Sequence, residues 1–254
     1  MIRINQLAVL IALVAVAIYF WLVASYAINA PFRDDLLDIL GFALNWVDSN
    51  SPAEQWQALL AQHNDHRTAA SRLVYLLTWT LSGEINFILL SVLLNLVPLA
   101  FLLFFYHQLP TTDNRALMML PVALLLFQPS SWALMLYPMA GLAMFGMLLY
   151  AMLALVCLNK PGLHWLAIAI LCAILSTFSL AAGQLVWLFG IVPILTGEGR
   201  AQHQKLLHLA IWVMAAIVAL CIFHYVATSP NTAAPLVFLA LETALADLLF
   251  LFVR

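Results

Sequence analysis

Residues 6–29 read QLAVLIALVAVAIYFWLVASYAIN, without one charged side chain. A membrane-crossing helix needs about 20 consecutive, mostly apolar residues, and this run supplies them. It follows Arg3, as a secretory signal would, but the apolar core of a signal peptide is only roughly 7–15 residues long. The run therefore reads as a retained first span. The composition of the chain agrees: of 254 residues 66% are hydrophobic and 8% are Asp, Glu, Lys or Arg, against roughly 45–50% apolar and about 25% charged in soluble domains. A soluble enzyme is excluded. Nine Lys and Arg stand against eleven Asp and Glu, for a net charge of −2, so no basic surface is available to hold a nucleic acid. Cys157, Cys172 and Cys221 lie inside long apolar runs with no Cys/His spacing around them, and read as small buried hydrophobes.

Seven further apolar runs follow, at 85–106, 116–134, 139–158, 163–181, 184–197, 207–227 and 235–253. The expected fold is all-α: a polytopic membrane helical bundle of about eight spans, one integral membrane domain over 1–254. The runs 163–181 and 184–197 sit at the lower length limit for crossing, and Gln128-Pro-Ser-Ser131 interrupts the third run. If all eight cross, Arg3, Arg115, Lys160, Arg200, Lys205 and Arg254 share the side of the N-terminus. The positive-inside rule makes that side cytoplasmic. The long loop 30–84 is then extracytoplasmic, and the chain is expected in a bacterial inner membrane.

Seven of the eleven carboxylates fall in that loop: Asp34, Asp35, Asp38, Asp48, Glu54, Asp65 and Glu84, together with Arg33, Arg67 and Arg72. Asp34, Asp38, Gly41, Asn45 and Asp48 recur at helical spacing between apolar residues, which predicts a helix with a narrow polar stripe lying at the membrane interface. Ser51-Pro52-Ala53-Glu54 is a capping box and opens a second amphipathic helix, to about His63. A third is expected from Ser71 to about Leu81. The loop is thus expected to form a small helical cap. Two polar clusters mark it, Arg33-Asp34-Asp35 and His63-Asn64-Asp65-His66-Arg67. The first also suits ordinary interfacial charges opening a helix, and the second a solvated turn. On a helix His63, His66 and Arg67 would share one face and converge on an anion, for which a guanidinium is well suited. Elsewhere, Trp132, Tyr137, Trp187 and Tyr225 read as interfacial belt aromatics. Glu242 and Asp247, about 140° apart on a helix, interrupt the last run.

A first span, a loop opening on Phe32-Arg33-Asp34-Asp35, and a later His63-Asn64-Asp65-His66-Arg67 string resemble the polytopic GT-C-type glycosyltransferases, in particular bacterial members with such motifs. The resemblance covers chiefly residues 1–110. Family members usually have many more spans, often with a soluble domain after them, so the chain reads as a short or truncated member. The resemblance implies that Asp34 or Asp35 is the catalytic base on an acceptor hydroxyl and that the donor is a sugar on a polyprenyl phosphate. Substrate binding would fall to Arg33, His63, Asp65, His66, Arg67 and Arg72, with Arg67, His66 and Arg72 neutralising the phosphate. The isoprenoid tail would lie between spans.

Asp34, Asp35, Asp65 and His66 carry oxygen and imidazole ligands suited to a divalent ion, but no spacing is diagnostic and no metal site is assigned. Two alternatives stand beside the enzyme. One is a non-catalytic membrane subunit that binds lipid-linked sugar or a membrane protein partner in envelope polysaccharide assembly. The other, less favoured, is a small transporter using Glu242 and Asp247; the charge lies mostly outside the bilayer, which argues against it.

Overall fold

The computed structural model describes residues 2–225 apart from Asp65, Asp113 and Glu198. The eighth run, with Glu242 and Asp247, lies outside the described residues. Among those described there is no strand, only an isolated bridge between His63 and His66. Five helical segments are long and apolar enough to cross a membrane: Ile4–Tyr26, Phe87–Gln108, Arg115–Met135, Pro138–Leu158 and Gln202–His224. The chain therefore fits an integral membrane protein built as an all-α bundle.

The first span belongs to α1 (Ile2–Tyr26). The loop after it carries a π turn at Leu36–Leu40 and then α2 (Gly41–Asp48), α3 (Pro52–Leu60) and α4 (Ala69–Ser82). Next come α5 (Phe87–Gln108), α6 (Arg115–Leu126), the four-residue α7 (Trp132–Met135) and α8 (Pro138–Leu158). The last elements are α9 (Leu163–Thr177), α10 (Leu185–Phe189), α11 (Ile191–Thr196) and α12 (Gln202–Tyr225). The third apolar run is broken where the sequence predicts, since Phe127 ends α6 and a 3-10 turn at Pro129–Ser131 precedes α7. The runs expected at 163–181 and 184–197 form the shorter apolar helices Leu163–Thr177 and Ala181–Thr196. Both join the same two ends of the bundle as the long helices. At one end the Ala70 amide donates to the Phe178 carbonyl. At the other, the buried Arg200 donates to the carbonyls of Leu158, Lys160 and Pro193.

Packing follows composition. α8 lies along α9 and α5, and α1 along α6. Tyr19 of α1 donates to Asn95 Oδ1 of α5 at 2.5 Å, and Asn95 Nδ2 donates to the carbonyls of Ser91 and Met135. Asn95 thus satisfies a carbonyl beside the broken span, where no lipid could donate to it. The spans keep apolar flanks outward, among them Leu13, Leu103, Leu125 and Met214. Trp187 departs from the expected aromatic belt. It is buried, donates to Thr177 Oγ1 at 2.9 Å and packs on Trp212, whose ring lies where a Cβ on Gly190 would stand.

The loop helices differ from the expected amphipathic trio. The first is not one regular helix: the π turn directs Asp38 and Ile39 inward, leaving Leu36, Leu37, Leu44 and Val47 exposed. The polar stripe is therefore split, with Asp38 buried and Asn45 and Asp48 exposed. The second helix stops at Leu60, short of His63. Ser51 caps it by accepting from the Glu54 amide, but Glu54 reaches back to the amide of Asn50 instead of Ser51.

Candidate functional site

Two turns and the start of α4 bring the charged residues of the loop together. After Pro31 the backbone bends sharply at Arg33, which takes a left-handed φ of 53°. The two residues after it diverge. Asp35 is fully buried, and its carboxylate accepts from the amides of Phe32 at 3.0 Å and Met139 at 2.9 Å. Met139 is in the first turn of α8, where Pro138 has no amide hydrogen and Tyr137 offers no side-chain cap. Asp35 therefore caps a spanning helix from across the fold, where the helix dipole favours a carboxylate. Burial raises its pKa from 3.8 to about 6, with Asp38 and Asp34 adding repulsion against the lowering effect of the two amides. Asp34 stays half-exposed, and its backbone amide donates to the Tyr137 hydroxyl.

The second turn is at His63–His66. On a helix His63, His66 and Arg67 would share one face; the structure forms instead a turn, the alternative reading of this string, but with Arg67 buried and not solvated. His63 and His66 exchange both backbone hydrogen bonds across a tight turn, and Asn64 takes a φ of 50°, which asparagine tolerates. Asp65 lies outside the described residues. The turn points His63 at the first cluster: its Nε2 is 3.9 Å from Asp34 Oδ2 and its Nδ1 is 4.0 Å from Asp38 Oδ1. His66 is partly buried, and its Nδ1 has no partner among the described residues.

The third element is the start of α4. Arg72 donates to Asp38 Oδ1 at 2.6 Å, and Asp38 also accepts from Thr68 Oγ1 at 2.8 Å, with the Tyr75 hydroxyl 3.5 Å from its other oxygen. Burial, reinforced by Asp38 and Asp35, holds the Tyr75 hydroxyl well above its ordinary pKa, so it remains a donor. Arg72 Nη1 donates to the carbonyls of Ala58, Leu59 and Ala61, and Arg67 Nη1 donates to that of Leu60. These four carbonyls end α3, which closes without a glycine cap, and two arginines five residues apart supply the missing donors. Arg67 also donates through Nε to the Phe223 carbonyl in the last turn of α12.

The structure therefore joins Asp34, His63, Asp38 and Arg72 into one chain of contacts, and turns Asp35 toward α8 and Arg67 toward α3 and α12. Arg67 and Arg72 are 1% and 4% exposed, so neither is presented to solvent as the expected phosphate binder; Arg33 is the exposed guanidinium, 5.0 Å above the Phe32 ring. Asp38, Thr68 and Tyr75 were not among the expected site residues. Asp38 had a signal, since it lies four residues after Asp34 in an apolar segment; Thr68 and Tyr75 had none. No three His, Cys, Asp or Glu side chains among the described residues converge as a metal would require. Next to the Asp34 turn, a cleft of about 150 Å³ is rimmed by Tyr26, Phe32, Phe87 and Trp132, with Ser91 as a polar group.

Fold and site define a polytopic all-α bundle with a polar cluster, largely buried, at one end of its apolar helices. No protein-family model, no curated protein and no solved structure matches the chain.

Proposed function

We propose that the protein is a GT-C-type membrane glycosyltransferase, moving a sugar from a polyprenyl-phosphate-linked donor to an acceptor on the extracytoplasmic face. On this reading about eight spans cross a bacterial inner membrane, the N-terminus is cytoplasmic, and residues 30–84 form an extracytoplasmic cap. One observation carries it: Asp34 is a half-exposed carboxylate backed by His63, which abuts the buried Asp38–Arg72 pair, beside an aromatic cleft at the end of the spans. Asp34 takes the proton of the acceptor hydroxyl as its oxygen bonds to the anomeric carbon. The bond from that carbon to the lipid phosphate breaks, and its electron pair leaves with the phosphate. His63 positions Asp34, and the 3.9 Å separation tightens to a hydrogen bond on substrate binding, as catalytic contacts often do. Arg33 balances the charge developing on the phosphate. The resemblance of the two loop motifs supports the same assignment.

The test is transfer of labelled sugar from polyprenyl-phosphate donors in membranes containing the protein. Asp34→Asn lowers transfer by about 10²–10⁴-fold, the usual contribution of a general base, with no change in melting temperature. Full transfer by Asp34→Asn, Asp35→Asn and Asp65→Asn alike would overturn the assignment. A second reading, the non-catalytic membrane subunit, is favoured by the way Arg67 and Arg72 hold α3 in place instead of facing outward. It predicts copurification with a membrane protein partner and unchanged turnover in these variants.

A further inference from the structure

Ser91 carries a buried hydroxyl that opens into a cleft and bonds to nothing. It lies one turn inside α5, is 2% exposed and lines the cleft of about 150 Å³ beside the Asp34 turn. Its carbonyl accepts from Asn95 Nδ2, but its Oγ makes no hydrogen bond among the described residues. A helical serine can return its proton to the carbonyl four residues back, as Ser179 does to Leu175 at 2.7 Å; Ser91 does not. A hydroxyl in an apolar recess costs free energy until a polar partner reaches it.

The rest of the cleft is largely aromatic. Phe87 is buried in its wall one turn before Ser91, Tyr26 and Trp132 are exposed at its mouth, and Phe32 comes from the Asp34 turn. The Tyr26 hydroxyl and Trp132 Nε1 also have no hydrogen-bond partner among the described residues. The Phe32 ring meets Tyr137 edge-on at 5.6 Å, and the Tyr137 hydroxyl accepts from the Asp34 amide, so the cleft and the candidate base share one wall. The volume suits one six-membered ring, since a cavity of about 150 Å³ holds a benzene. An acyl or prenyl chain has no group to offer Ser91, and an anionic head finds no cation inside. A pyranose ring offers both things the cleft lacks: C–H faces for the electron-rich faces of the aromatic rings, and a rim of hydroxyls for Ser91, Tyr26 and Trp132.

We propose that this cleft holds one sugar ring of the acceptor, so that the substrate being glycosylated is itself a carbohydrate end and not a lipid or peptide hydroxyl. The role as acceptor rests on the transfer reading above; the recognition of a sugar ring rests on the cleft alone. One hydroxyl of the bound ring loses its proton to Asp34 as its oxygen bonds to the donor's anomeric carbon, and the lipid phosphate leaves with the electron pair of the broken bond.

The experiment is saturation-transfer NMR on the purified full chain in amine-oxide micelles, which carry no sugar, with the methyl glycosides of glucose, galactose, mannose and N-acetylglucosamine as probes. A saturable response is expected from the ring C–H protons of at least one glycoside. Trp132→Ala weakens it about tenfold and Ser91→Ala about threefold to tenfold, the effects of losing an aromatic wall and a hydrogen bond. Asp34→Asn, which lowers transfer, leaves the binding unchanged, and farnesyl phosphate does not compete. A wild-type chain indifferent to every glycoside, or a response undiminished in both Trp132→Ala and Ser91→Ala, would overturn the proposal. So would displacement of the glycoside by farnesyl phosphate, which would give the cleft to the isoprenoid. The two readings fail separately. Transfer by a chain that binds no glycoside keeps the enzyme and removes the cleft assignment, whereas glycoside binding without transfer from any polyprenyl-phosphate donor keeps the sugar site and removes its acceptor role.

Discussion

A carboxylate with no exposed surface must be protonated, paired or surrounded by donors, and Asp35 and Asp38 adopt different solutions. Asp38 has a guanidinium at 2.6 Å, a threonine hydroxyl and a tyrosine. Removing one partner of such a buried pair strands the other, at about 3–5 kcal/mol. Asp38→Ala is therefore expected to lower unfolding stability by that amount, and Asp38→Ala with Arg72→Met to cost less than the two single changes added together, as a double-mutant cycle in denaturant would measure. Asp35 has only two amides and a pKa raised to about 6. The native state therefore holds a proton between about pH 4 and 6 that the unfolded chain has lost. The stability contributed by Asp35 is complete below about pH 4 and lost as pH rises through about 6. Asp35→Asn removes this part of the pH dependence, so melting temperatures of variant and wild type, compared from pH 4 to 7, should diverge in the variant's favour as pH rises. A constant difference across that range would contradict the assignment.

At the scale of elements, the loop helices are too short to stand on propensity and depend on their ends. α3 has nine residues. Its start is local and legible in Ser51-Pro52-Ala53-Glu54, and Ser51→Ala is expected to cost about 1 kcal/mol. Its end rests on Arg67 and Arg72, seven and twelve residues beyond Leu60, which no local rule identifies. Hydrogen exchange should therefore show α3 losing amide protection in Arg72→Ala, while α8 and α9 stay protected. α10 and α11 meet α12 at Gly190, where a Cβ would strike the fully buried Trp212. Gly190→Ala should destabilise the bundle by about 1–3 kcal/mol through overpacking, measurable as a lowered melting temperature with intact helical circular dichroism.

At the scale of the molecule, two ends of the bundle have distinct chemistry. Arg115, Lys160, Arg200 and Lys205 lie at one end with the α5–α6, α8–α9 and α11–α12 connections. The loop helices lie at the other, tied to α8, α9 and α12 through Asp35, Ala70 and Arg67. The proposed orientation predicts that cysteine at Asn50, in an otherwise cysteine-free chain, reacts with a membrane-impermeant maleimide added outside intact cells, and that cysteine at Lys160 reacts only after the membrane is opened. The reverse pattern would invert the topology.

Apolar run length and charge scarcity are properties of the chain itself, and they determined that the protein is helical, belongs to a bilayer and gathers its carboxylates in one loop. Hydropathy needs no knowledge of neighbours, because a backbone in lipid must satisfy its own hydrogen bonds and only helices of sufficient length do so in this composition. Tertiary structure decided which of those charges work together. Asp34 and Asp35 are adjacent, yet one faces out and the other caps α8 more than a hundred residues away. Arg67 and Arg72 looked like anion binders, but packing turned both inward, to carbonyls that end α3 and α12 and, for Arg72, to the buried carboxylate of Asp38. Partners such as Met139, Phe178 and Phe223 are brought in by helix packing over long sequence separations, and no spacing within the loop records them.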